Sequence, residues 1–375
     1  MTVAATLQDR VRSLIEESGL KQEAFAVAVG LDASKLSKSL NEHRRFSSLD
    51  LAMIAQYSGV TVDWLIQGVG QHAVAARVAH DGSSVGDAIR EAESLVEARD
   101  NLLFLGASQH WPEPPPFQSP LWTEQGKELA DFALSHLGHP DTHENESFAT
   151  AIEQNFGIDV RVMHLGPGCD GLAMCGSGAR VLLVASTENP TRQRFTMAHE
   201  LAHLLCKDSQ DVHVDENVMA RSGPRDSSEM RANSFAAHLL MPESMLCARF
   251  SGPMVSDDLF ANTVMDLMVS PSSLAWRLLN LKQISAERRA QLGRLRTIDC
   301  AAMTGRMKDY ATWVEASNQP RIPLRLLQDS FQAYLDGRTT LRPVARLFDI
   351  PVELLRRAVE QPASATEESG ADFEP

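Results

Sequence analysis

Cysteine is scarce in this chain and does not pair by pattern. Cys169, Cys175, Cys206, Cys247 and Cys300 form no Cys-x-x-Cys motif and are odd in number, which argues against a disulfide framework and suits a reducing compartment. Long apolar runs are also missing. No stretch approaches the ~18 apolar residues of a membrane span, and the opening MTVAATLQDR lacks the basic segment and apolar run of a secretory leader. The expected location is the cytoplasm. Positive charge is in deficit, with 35 Lys and Arg against 49 Asp and Glu and a net charge of −14. A surface coated in nucleic acid is thereby excluded, and any DNA contact has to be a local patch. What remains is ordinary globular composition, 43% hydrophobic and 22% charged over 375 residues, enough for two or three domains with their own cores.

The chain is organised around RFTMAHELAHLL, residues 194–205. Residues four apart on a helix lie one turn above each other, so His199 and His203 can present two imidazole nitrogens to one metal ion. Glu200 sits one residue round from His199 and can reach a water rather than the metal. Zinc lowers the pKa of bound water from ~15.7 towards ~7, and a carboxylate then takes the proton as water attacks a polarised carbonyl. The implied reaction is peptide-bond hydrolysis. Leu201, Leu204 and Leu205 give the helix a buried side, and Ala198 and Ala202 allow close approach.

Residues 5 to about 68 read as five short helices. Leu7, Val11, Leu14 and Ile15 line one face of the first; Gln22 to Val29 is the second. Gly30-Leu31 makes a turn, and Asp32 is the N-cap for Ala33 to Leu40. Ser48 to Ser58 and Val62 to Gln67 close the core with Leu51, Ile54, Ala55, Val60, Trp64 and Leu65. A helix, tight turn and helix can lay the second helix in the DNA major groove. Residues 33–45 carry a local charge of +3 inside an acidic protein. Ser34, Lys35 and Lys38 are placed to face bases; Gln22, Arg44 and Arg45 suit phosphates. The run from Gly19 through the closing Val62-Asp63-Trp64-Leu65 resembles the Xre-type helix-turn-helix family, which implies binding to a double-stranded operator. Where that family often has Gly after the second helix, this chain has Asn41-Glu42.

Residues 69–82 are small and polar, and Ser84 to Leu105 reads as a helix. A Pro-rich stretch from Trp111 to Pro120 is expected to be a stiff spacer and a domain boundary. Beyond it the pattern gives helices at Glu124–Leu137 and Glu146–Phe156, then strands at Val160–Met163, Leu172–Met174 and Val181–Ala185. Gly166, Gly168, Gly171, Gly176 and Gly178 are read as turn residues. His136, His139 and His143 form a second histidine group, but Pro140 interrupts the helix that would align them.

A catalytic zinc needs a third protein ligand and an open position. Between His203 and Pro242 the candidates are Asp208, Asp211, His213, Asp215, Glu216, Asp226, Glu229 and His238. Glu229 is favoured because 229–237 reads as a second helix, rich in small residues that let it pack against the first. Asp211 to Glu216 is polar and reads as a lid or a surface strand. Together RFTMAHELAHLLC and EMRANSFAAHLLMP resemble the ImmA/IrrE family of metallopeptidases, bacterial regulators encoded beside or fused to Xre-type repressors. The resemblance runs from about residue 145 to 285 and implies zinc on His199, His203 and Glu229, with Glu200 as base. The family's usual Gly before the second histidine is Ala202 here.

Val269 to Leu278 and Leu341 to Val359 both look like further helix-turn-helix corners, and plain helical packing is the favoured reading of each. After Gln361 the acidic tail is expected to be disordered, and Cys206 to be a small buried hydrophobe. The expected fold class is mainly α with a small sheet (α+β). The expected division is 1–70 DNA-binding, 71–120 linker, 121–290 zinc peptidase, 291–360 helical and 361–375 tail. The expected function is a DNA-binding regulator whose zinc (in vitro also manganese) peptidase cleaves a partner repressor, or itself, to control stress or mobile-element genes, acting as a homodimer. The rival reading is a transcription factor or antitoxin, partnered by a toxin or repressor, whose metallopeptidase fold is a non-catalytic sensor.

Overall fold

The computed structural model describes residues 6–58 except 19 and 42, residue 65, and residues 84–137, 145–207 except 167, 168 and 177, 213–214, and 227–360 except 253. Among them no helix is long and apolar enough to cross a membrane. The chain divides into two compact units, one of residues 1–91 with 166–168 and the other of 92–165 with 169–375.

The first unit contains α1 (Leu7–Glu17), α2 (Gln22–Ala28), α3 (Ala33–Leu40) and α4 (Ser48–Ser58). Val11, Leu14, Phe25, Ala26, Leu36, Leu40, Leu51 and Ile54 meet in one core. Leu31 N–H closes the turn after α2 by donating to the Ala26 carbonyl at 2.8 Å. Asp32 then caps α3, its Oδ1 accepting the Lys35 amide at 3.0 Å, which satisfies one of the N–H groups a helix start leaves unpaired. Of the expected fifth helix only Leu65 is described; it is helical and buried.

Helix α5 (Ser84–Phe104) enters the second unit at Ala92. There follow α6 (Trp122–Leu137), α7 (Asn145–Phe156), β1 (Asp159–Met163), β2 (Gly171–Cys175), β3 (Arg180–Ala185), α8 (Pro190–Cys206), the two-residue β4 (His213–Val214) and α9 (Ser227–Leu240). The fold is mainly helical with a small sheet of order β1-β3-β2-β4. β1 runs parallel to β3, with Val160 opposite Leu182, and β2 runs antiparallel to β3, with Ala173 opposite the same Leu182. β4 adds to β2 through Leu172 and Ala173, so His213 and Val214 take the strand alternative. Val181 to Val184 are all fully buried: β3 is covered on both faces, as its unbroken apolar run requires.

Helix α8 begins at the end of β3. Asn189 caps it by accepting the Arg192 amide at 3.2 Å, and Pro190 holds its first position, where a missing N–H costs nothing. Gln193 ties the start down, its Nε2 donating to the carbonyls of Ala185 at 2.9 Å and Ser317 at 2.8 Å. Asn145 Nδ2 donates to its Oε1 at 3.0 Å.

The remaining helices are α10 (Glu243–Arg249), α11 (Asp257–Leu267), α12 (Pro271–Asn280), α13 (Ala286–Leu292), α14 (Thr297–Met303), α15 (Met307–Asn318), α16 (Leu324–Leu335), α17 (Arg342–Leu347) and α18 (Val352–Glu360). At the α11–α12 corner Val264, Val269, Leu274 and Leu278 join the main core, so that turn is a packed helix corner. Two buried ion pairs tie distant parts of the chain together around β1. Arg321 meets Glu153 at 2.8 and 2.9 Å, and its backbone exchanges hydrogen bonds with Val162 at 2.9 and 3.0 Å. Arg99 donates to Asp159 at 2.8 and 2.5 Å and also meets Asp329.

The Pro-rich stretch lies against this unit. Arg180 stacks over Trp111 at 4.4 Å, Gln109 donates to Asp159 at 3.2 Å, and Glu128 accepts the amides of Gln118 and Ser119. Trp111 gains cover for its ring and Asp159 a further donor, which explains why a sequence that reads as a stiff spacer is docked.

Helices α6 and α9 pack at Gly126, where a Cβ would come within 2.5 Å of the Arg231 carbonyl oxygen and 2.8 Å of the Phe235 nitrogen. Both neighbours are backbone, so a side chain can be accommodated only by parting the helices. Gly126→Ala is expected to destabilise the protein by about 1–3 kcal/mol, read as a lower urea midpoint. An unchanged midpoint would show that the two helices separate without cost.

Candidate metal centre

His199 and His203 lie on the face of α8 that meets α9, 0% and 3% exposed. Glu229 is in the first turn of α9 and keeps its side chain 34% exposed. The three side chains converge. His199 Nε2 and His203 Nε2 are 3.2 Å apart, and the two Glu229 oxygens lie 3.2 Å from His199 Nε2 and 3.3 Å from His203 Nε2.

Those separations suit a shared cation. Three corners of a tetrahedron with bonds of about 2.0–2.1 Å stand about 3.3 Å apart. Two neutral imidazole nitrogens presenting lone pairs to one another at that distance repel unless a proton or a metal lies between them. The hydrogen bonds from His199 and His203 hold the Glu229 carboxyl far below the usual carboxylate range, against the opposing effect of burial. It would thus meet a cation as a charged group, and its side chain keeps partial exposure to solvent. Among the described residues this is the one group of His, Cys, Asp and Glu side chains that can hold a metal.

Small residues allow the convergence. Ala198, Ala202, Ala232 and Ala236 are all buried, so α8 and α9 approach closely enough for Glu229 to reach both histidines. Glu200 is 1% exposed and faces the start of β2. A Cβ on Gly171 would stand 2.6 Å from Thr196 Cγ2, 3.1 Å from Glu200 Cγ and 3.3 Å from Glu200 Oε1. Gly171 therefore belongs to the strand, and its role is close approach. A glycine inside the apolar run GLAMC was the available signal. Just before it, Asp170 pairs with Arg192 of α8. Arg194, 1% exposed, lies over the Phe148 ring at 4.8 Å, and burial pushes its guanidinium down to about 10.

The other predicted residues are distributed as follows. Of the remaining third-ligand candidates, Asp208, Asp211, Asp215, Glu216 and Asp226 lie outside the described residues, and His213 is on β4. His238 is turned onto its own helix, Nδ1 lying 2.8 Å from the Ser234 carbonyl oxygen. His136 likewise bonds the Phe132 carbonyl at 3.0 Å, while His139 and His143 lie outside the described residues. In the first unit Gln22, Ser34, Lys35, Lys38 and Arg45 are exposed. Arg44 differs, since its guanidinium pairs with Asp50 at 2.8 Å and touches Ser39 Oγ at 3.3 Å.

Comparison with known proteins bears on the second unit. Residues 153–279 match the model of Peptidase M78, the IrrE N-terminal-like domain, a span that contains the sheet, α8, α9 and the His199, His203 and Glu229 group. The radiation response metalloprotease IrrE of Deinococcus radiodurans is 33% identical over 122 residues, which cover 32% of this chain and 34% of that protein. The chain thus spans about a third of the length of the curated relative it matches. By the family model, the segment carrying the His-His-Glu group is similar to the IrrE N-terminal-like domain.

Proposed function

We propose that this protein is a zinc-dependent endopeptidase joined to a DNA-binding module, and that it cleaves a partner repressor of the helix-turn-helix type to release stress or mobile-element genes. The observation that carries the reading is the triad of His199, His203 and Glu229 at 3.2–3.3 Å mutual spacing. The buried Glu200 carboxylate stands on the same helix. Zinc, when bound, supplies a Lewis acid for the scissile carbonyl and makes water acidic enough to lose a proton near neutral pH. Glu200 takes that proton and returns it to the leaving amine. Gly171, by admitting α8 close to β2, holds the Glu200 side chain in place.

The DNA-binding half of the reading rests on α3. Ser34, Lys35 and Lys38 share its exposed side within one turn, where they can reach base edges and phosphates. Gln22 and Arg45 flank them, and Arg44 serves as much to fix the chain against Asp50 as to meet a phosphate. A module of this size covers too little DNA for tight specific binding alone, so two copies on a pseudo-palindrome are proposed.

Purified protein is expected to bind about one zinc per chain. His199→Ala, His203→Ala and Glu229→Gln should each weaken binding by more than about 100-fold, beyond the cost of losing an outer-shell partner. Full zinc content in Glu229→Gln, measured by metal analysis after dialysis, would remove Glu229 from the ligand set.

Glu200→Gln keeps the shape and the metal and removes the base. Cleavage of the partner repressor should fall by about 10²–10⁴-fold, with zinc content and DNA binding unchanged. Gly171→Ala should also lower turnover while leaving zinc in place. If fragment mapping by mass shows partner and chain intact with the wild type under zinc and manganese, the peptidase reading fails and a sensor role takes its place.

For DNA, affinity of the full chain should fall steeply as salt rises. Lys38→Ala should relax sequence preference, and Arg45→Ala should weaken binding to all sequences alike. Fluorescence anisotropy that detects no DNA binding at low salt would leave the first unit as a protein-binding module.

A further inference from the structure

A cavity of about 230 Å³ opens at the N-terminal end of α8, with Phe195, Leu240, Met241 and Val269 among its walls and Arg192 and Ser273 at its rim. It is smaller than the ~300–1,000 Å³ of small-molecule sites and of a size for one amino-acid side chain. Leu240, Met241 and Val269 are among the buried apolar residues of the core, so an occupant exchanges water for an apolar surround. The polar groups at the rim are already engaged. Ser270 Oγ accepts the Ser273 amide at 3.1 Å and bonds Ser273 Oγ at 2.8 Å, while Arg192 pairs with Asp170.

Its position relative to the metal centre is fixed by one residue. Phe195 walls the cavity and stands one turn before His199, with the two ring centroids 6.2 Å apart. Four residues of helix advance about 6 Å, whereas an extended peptide advances about 3.3 Å per residue. An extended substrate whose scissile carbonyl meets the triad and whose chain runs along α8 past Phe195 would bring a side chain one or two residues away to this cavity. Arg192, which lines the cavity, pairs with Asp170, and Glu200 lies beside Gly171, so the cavity and Glu200 both adjoin the start of β2.

We infer that this cavity is the specificity pocket of the peptidase and takes a medium-sized aliphatic side chain, leucine or methionine, flanking the cleaved bond of a protein substrate. The inference rests on the peptidase reading for its cleavage arm and on cavity chemistry alone for its binding arm. Phe195 is the positioning residue that separates the pocket from the metal centre.

The test uses the full zinc-loaded chain and two probes. In the first, a peptide library with one varied position flanked by fixed residues is digested and the cut sites are mapped by mass. The wild type should prefer Leu or Met at one fixed distance from the cut by about tenfold or more over Gly. Ser273→Phe, which fills the cavity from its rim, should abolish that preference with zinc content retained. Arg192→Trp closes the mouth from an exposed position and serves if Ser273→Phe does not fold. In the second, the Met241 methyl resonance of Glu200→Gln protein is followed by NMR while N-acetyl-leucinamide or N-acetyl-glycinamide is added. The leucine amide should shift it and the glycine amide should not, and Arg192→Trp should remove the response. Cleavage without preference, or a preference that survives both variants, would overturn the pocket while leaving the peptidase standing. A selective Met241 shift without cleavage of any peptide would keep the pocket and overturn the peptidase. Silence in both arms would overturn both.

Discussion

Helix α8 must keep two imidazoles and the Glu200 carboxylate out of water in the middle of an apolar core. Desolvating such groups costs several kcal/mol unless each finds a partner of suitable charge. The structure meets that demand by convergence: Glu229 arrives from α9 to lie between His199 and His203. A metal in their midst would give all three a common partner. Most of what surrounds α8 serves to make the convergence possible. Alanines thin both helices, Gly126 seats α6 on the back of α9, and Gln193 fixes where α8 starts against β3.

The same logic sets the character of the sheet. It is too small to enclose a core of its own, and its central strand is buried on both faces by helices. What it contributes is a rigid backing, with Gly171 of β2 lying near enough to α8 that a side chain there would meet Thr196 and Glu200. Rigid elements hold reacting groups better than loops do. Glu200 is accordingly carried on a helix and backed by a strand.

Much of this was legible along the chain because the relevant spacings are short. His199 and His203 are four residues apart, and the small-residue pattern from Glu229 to Ala237 announces a helix meant to lie close to another. Asp32 as a cap and the three main strands follow from equally local rules. Interactions across long separations were not legible. Nothing near Glu153 announces Arg321, 168 residues away, and nothing near Trp111 announces Arg180. Gly171 was read as a turn residue because glycine often is one, and only the neighbouring helix shows why a side chain is excluded there. Arg44 counted as a basic residue open to DNA, but Asp50 six positions on engages it. The side-chain pocket had no sequence signal, since its walls come from three separate stretches.

The Glu153–Arg321 pair also sets how far the fold can be cut down. The segment similar to IrrE begins at Glu153 and ends at residue 279, yet the cation opposite that glutamate stands more than forty residues beyond its end. Asp159, in the first strand of the same segment, depends in turn on Arg99, which lies well before it. Breaking one side of a buried pair costs about 3–5 kcal/mol, a large share of the stability of an ordinary domain. Sequence similarity and physical autonomy therefore have different borders in this protein. A shuffled gene carrying only the recognisable segment would leave two carboxylates orphaned, Glu153 on α7 and Asp159 on β1, so the flanking stretches have to travel with it as one heritable block.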